Sequence, residues 1–155
     1  MENETFAIIQ FLIKGFNATD RKDYALRRSL WADEVTIDFG GVKDAQIMKA
    51  DELNDWAKVA YQHMTTMHIN FNHEITVEVD KATSYSYGRA LHKQQVSKGE
   101  NYWNIYATYE HELVKENGVW KVSRIKMTPI FQEGNTNLVN QAYEDALQDE
   151  KKDNS

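Results

Sequence analysis

The chain has 155 residues, 18 basic against 24 acidic side chains, and no cysteine. That length suits one domain with an ordinary core, and the lack of cysteine excludes disulfides and thiolate metal sites. A net charge of −6 opposes phosphate backbones, and no basic stripe beyond Arg27-Arg28 offsets it, so no nucleic-acid partner is expected.

The elements follow in chain order. The opening MENETFAIIQFLIKGF breaks its apolar run at Gln10 and Lys14. It reads as neither a secretion signal nor a membrane span, and the cytoplasm is the expected compartment. Residues 4–18 are expected as a helix with Phe6, Ile9, Ile13 and Phe16 at helical spacing, widened by Ile8 and Leu12. Thr19 or Asp20 is the expected N-cap of a second helix over 21–31. VTIDF (35–39) reads as a short strand ended by Gly40-Gly41, and 50–63 as a third helix.

After Met64 the period changes. Residues 66–79, 83–96, 102–115 and 119–131 read as four strands joined by short links, which favours sequential antiparallel hairpins. Segment 136–150 reads as a last helix. A single domain over 1–150 and a frayed tail over 151–155 are expected. Helices first and a long meander afterwards imply an α+β fold. The expected form is a cone-shaped, curved antiparallel sheet packed against the N-terminal helices and enclosing a pocket, with a C-terminal helix. On strand 83–92 one face carries Ser84, Ser86, Gly88, Ala90 and His92, leaving room either for a ligand or for a closely packed helix.

Five local contexts stand in order along the chain: ATDRKDY with Asp20, DEVTIDF (33–39), TMHINFN with His68 and Asn72, SYSYGRALH with His92, and NGVWKVSRIK with Trp120. Together they resemble the nuclear transport factor 2-like superfamily, in its SnoaL-like and scytalone dehydratase-like branch, over about residues 5–131. The resemblance implies that superfamily's α+β barrel. It also implies that Asp20 is similar to the aspartate partnering the catalytic histidine of scytalone dehydratases and the dehydrochlorinase. His68 is similar to that histidine, and His92 to a second pocket histidine. Family phenols beside the aspartate and on the IDY strand are Thr19 and Phe39 here. The serine and asparagine of the penultimate strand are Ala107 and Tyr109. Expected substrate contacts are Tyr24, Phe39, Trp56, Asn72, Tyr106 and Tyr109, with Tyr106 or Tyr109 replacing a lost phenol.

The chemistry follows from residue type. A carboxylate on one imidazole nitrogen fixes the tautomer and steadies the imidazolium that forms, while the other nitrogen faces substrate. The expected function is a cofactor-independent lyase of dehydratase type, or an isomerase, abstracting a proton from a small, partly apolar substrate. A non-catalytic small-molecule binder and an oligomerisation module are the alternatives. Read without the resemblance, Asp20 is a helix cap, and Asp38 faces solvent or binds across the sheet. His63, His68 and His73 recur every five residues and share no regular face, and His111, between two glutamates, reads as a surface residue. No HExxH or compact ligand cluster occurs, so no metal is expected. Nothing marks a dinucleotide or nucleotide site, so no cofactor is expected either. Tyr85, Tyr87 and Leu91 on one strand face make a homodimer or homotrimer the expected assembly.

Overall fold

The computed structural model describes residues 3–40 and 43–154. Helix α1 (Glu4–Asp20) begins where Asn3 Oδ1 accepts the Thr5 amide at 3.1 Å. It buries Ile8, Leu12 and Ala18. That stripe is rotated from the expected one, and Phe6 is left 56% exposed. The helix stops because Lys22 takes a left-handed φ of 58°, and the Lys22 and Asp23 amides fold back onto the Thr19 and Ala18 carbonyls.

Asp23, not Thr19 or Asp20, then caps α2 (Tyr24–Ser29), its Oδ1 accepting the Leu26 amide at 3.0 Å. The second helix is therefore shorter than the spacing suggests. The Asp20 carboxylate is left free for a contact outside its own helix.

The chain continues through β1 (Trp31–Asp38), β2 (Gln46–Lys49), α3 (Ala50–Tyr61), β3 (Thr65–Val77), β4 (Lys81–Lys93), β5 (Tyr102–Glu116), β6 (Val119–Gly134) and α4 (Leu138–Asp153). Of the glycine pair expected to end β1, Gly40 turns at φ 62°; Gly41 lies outside the described residues. Strand β2 is short and mostly exposed, so its four residues carry no alternation to announce it.

The strands form one sheet in the order β2-β1-β6-β5-β4-β3. This corrects two expectations. The sheet is mixed, because β1 runs parallel to β6 while the other neighbours are antiparallel. It is also open: β2 and β3 are its edges, so no barrel closes. Its curvature comes from register shifts at Trp31/Thr36, Phe71/Glu74, Tyr106/Ala107 and Glu112/Leu113.

The inner face is layered. At one end, Ile8 and Leu12 of α1 pack on Ala82, Leu113, Trp120 and Val122. At the other, Ala60 and Met64 pack on Val96, Leu138, Val139 and Ala142. Between them lie Ala90, Ile105, Ala107 and Tyr109, flanked by Phe16. The outer face keeps Met67, Ile69, Phe71, Tyr87 and Phe131 exposed. Asp38 binds across the sheet, its Oδ2 accepting from Arg124 at 2.8 Å.

The small-residue face of β4 does point inward, with Ser84, Ser86, Gly88, Ala90 and His92 all buried. The space over Gly88 is taken by a side chain of the sheet itself. It is the Tyr109 ring from the neighbouring strand, and a Cβ on Gly88 would sit 2.3 Å from Tyr109 Cε2. Gly88→Ala is expected to force that ring aside and lower stability by about 1–3 kcal/mol, read as a drop in the urea midpoint.

Candidate functional site

The end of α1 and the start of β3 meet at one carboxylate. Asp20 Oδ1 accepts from His68 Nδ1 at 2.7 Å and from the Thr66 hydroxyl at 2.8 Å. Asp20 Oδ2 accepts the His68 backbone amide, also at 2.8 Å. Because a carboxylate only accepts, His68 carries its proton on Nδ1. Nε2 has no hydrogen-bond partner among the described residues. Burial alone would raise the Asp20 pKa. The bonds from the His68 ring and amide, the attraction of His68 and the Thr66 hydroxyl together hold it below the usual aspartate range. The pair stays in touch with solvent: the His68 side chain is 14% exposed and that of Asp20 19%.

Aromatic rings wall the dyad. Phe16 stacks on His68 at 5.7 Å, and His92 meets it edge-on at the same centroid distance. His92 is itself sandwiched by Trp103 at 4.6 Å and Tyr61 at 6.3 Å. Its Nδ1 lies 3.2 Å from the Trp103 carbonyl, which fixes the proton on that nitrogen. Burial pushes the His92 pKa down to about 4, helped by neighbouring His68 and opposed by the Trp103 carbonyl and Asp20. His92 is therefore a neutral imidazole at physiological pH.

A second polar layer lies across Phe16 from the dyad. The Phe16 ring also meets His111 edge-on at 6.0 Å and Tyr109 at 5.5 Å. His111 was expected on the surface, but it is only 5% exposed. It alternates with buried Tyr109 and Leu113, whereas its glutamate neighbours face out. His73 belongs to the same layer, contrary to the five-residue spacing, because the β3 register shift inserts a residue after Phe71 and Asn72 takes φ 56°. The side-chain nitrogens of His73, the Ser84 hydroxyl and His111 Nδ1 are buried with no hydrogen-bond partner. Burial, with a smaller push from His73, drives the His111 pKa down to about 4.

The expected substrate contacts separate. Tyr24 opens α2 and its hydroxyl is buried without a partner. Tyr109 faces inward, and burial raises its pKa. Trp56 stacks on Tyr143 of α4 at 5.8 Å and meets Tyr61 edge-on. Phe39 sits beneath Lys43, 4.7 Å from its ring centroid. Asn72 is exposed on the bulge of β3. Tyr106 lies on the sheet face opposite Ile105 and Ala107, under Arg89 and against Phe131, away from the dyad. Four residues at or beside the dyad were not anticipated: Thr66, Tyr61, Trp103 and Phe16. Thr66 was legible, since it precedes His68 by two on a strand and so shares its face.

Two open clefts mark the surface. One, of about 410 Å³, runs between α1 and α2 past Gln10, Lys14 and Arg21. The other, of about 500 Å³, lies among Glu74, Tyr85, Glu110 and Arg124. Neither is lined by Asp20, His68 or His92. Among the described residues no three His, Asp or Glu side chains converge as a metal-binding group, and no helix is long and apolar enough to cross a membrane.

The family model of the SnoaL-like domain matches residues 3–126. The chain belongs to the SnoaL-like domain family. Several solved structures share this SnoaL-like architecture. The Kfla4162 protein from Kribbella flavida has 25% identity and a TM-score of 0.76, over 86% of this chain and 94% of that one. Hexachlorocyclohexane dehydrochlorinase LinA-type3 from Novosphingobium barchaimii LL02 has 19% identity and a TM-score of 0.66, over 84% and 88%. A ketosteroid isomerase-like protein from Erwinia carotovora atroseptica SCRI1043 has 16% identity and a TM-score of 0.65, over 84% and 99%. At 19% identity and below, these last two likenesses concern the fold alone. No curated protein matches the chain significantly.

Proposed function

We propose that this SnoaL-like protein is a cofactor-independent lyase, of dehydratase type, or an isomerase, with His68 as the general base. The observation that carries this reading is the 2.7 Å bond from His68 Nδ1 to Asp20, which leaves Nε2 unpartnered. Asp20 orients the ring and stabilises the imidazolium formed when Nε2 takes a proton from a carbon next to a carbonyl or similar acidifying group. Return of that proton to another carbon completes an isomerisation; its loss together with a hydroxyl completes a dehydration. His92 Nε2, deprotonated at neutral pH, accepts a hydrogen bond from a substrate hydroxyl and orients it. The flanking rings of Phe16, Tyr61 and Trp103 favour a small, partly apolar substrate.

The tautomer of His68 tests the assignment. Nitrogen-15 NMR at neutral pH is expected to place the His68 proton on Nδ1, and Asp20→Asn is expected to abolish that preference. A proton found on Nε2 in the unaltered protein would remove His68 as the base.

A further inference from the structure

Two adjacent arginines on α2 meet opposite fates. Arg28 is held by two carboxylates, Asp33 at 2.7 Å and Asp51 at 2.6 Å. Arg27 points the other way, into the wedge between α2, α3 and β1. Its Nη1 donates to Asn54 Oδ1 at 2.8 Å, and its guanidinium lies 5.2 Å from the Trp31 ring centroid. Among the described residues no carboxylate comes within ion-pairing distance of it. Asn54 is itself buried and locked, its amide donating to the Tyr24 carbonyl at 3.0 Å, so the arginine is held from behind.

Tyr61, whose phenol acts on the Arg27 charge as that of Tyr24 does, links this wedge to the dyad: its ring stacks on His92, and His92 meets His68 edge-on. The Tyr24 hydroxyl is buried with nothing to bond. An orphan phenol beside a half-buried cation without an acid is a costly arrangement for stability alone. It is a favourable one for a planar anion, which accepts from a guanidinium and from hydroxyls together.

We propose that Arg27, with the Tyr24 and Tyr61 hydroxyls, forms an anion-binding subsite beside the Asp20–His68 dyad that holds a carboxylate of a small organic substrate. This rests on the dyad being the proton-transfer centre, and it narrows the substrate to an organic acid. A carboxylate bound there is anchored while a neighbouring carbon reaches His68.

Benzoate is the probe, with benzamide as its uncharged counterpart. The full chain is expected to bind benzoate at least tenfold more tightly than benzamide, and benzoate is expected to shift the Arg27 guanidinium nitrogen signals. Arg27→Met is expected to weaken benzoate at least tenfold, and Arg27→Lys to retain part of the affinity. His68→Gln is expected to leave benzoate binding within about twofold, which separates this subsite from the base assignment. Equal binding of benzoate and benzamide, no response at the Arg27 nitrogens, or undiminished benzoate binding by a folded Arg27→Met would overturn the proposal. If Arg27→Met does not fold, the ligand preference and the nitrogen shifts in the unaltered protein decide.

Discussion

Replacing His68 by alanine is expected to cut kcat by roughly 10²–10⁴-fold, the contribution of one positioned general base. The compound to assay is one carried through purification from cells, identified by mass spectrometry. The fold should survive, because His68 is partly exposed and its backbone amide, which bonds Asp20, is unchanged by the substitution. Asp20→Asn should lose rate as well and should also destabilise, since three donors converge on that carboxylate. Unchanged turnover in a folded His68→Ala would end the proposed mechanism.

The second large effect is acid instability. His92 and His111 are buried and each titrates at about 4 in the folded protein. In the unfolded chain both titrate near ~6.5. Between those values the unfolded chain binds more protons, so falling pH favours unfolding. The stability these groups contribute is whole above about pH 6.5 and is lost on the way down to about 4, on the order of 3 kcal/mol for each. His68 and Asp20 face His92, and His73 faces His111, so the two centres are separable by substitution. Urea unfolding at a series of pH values is expected to show the steep loss in the unaltered protein and a clearly shallower one in His111→Phe. Identical pH profiles would mean that His111 is solvated rather than sealed in.

The contrast between what the residues announced and what they concealed has physical causes. The four long strands were legible because alternation and short links are local signals, and the inward set on β4 followed from parity alone. The parallel pairing of β1 with β6 was not, because it joins segments with most of the chain between them and leaves no local trace. Asp20 was legible as a polar residue at a helix end, where capping and a tertiary bond compete. Lys22's left-handed turn and Asp23's capping decided that competition. Tyr106 was placed beside the dyad by analogy with a lost phenol, yet its parity with buried Ile105 and Ala107 already put it on the other face. Arg27 stood in the sequence only as half of the Arg27-Arg28 pair; the position of Asn54 and Trp31 in space reveals that it is turned inward.

The extra residue at Asn72 divides β3 into two halves that are out of phase. The first half lends one imidazole to the pair with Asp20; the second lends another to the polar layer beyond Phe16. With Asn72 in regular alternation, His73 would point outward and only the first of these would be served. Straightening the bulge with Asn72 still in the chain would therefore exchange Glu74 and Thr76 with His73, Ile75 and Val77 between water and interior, all in one step.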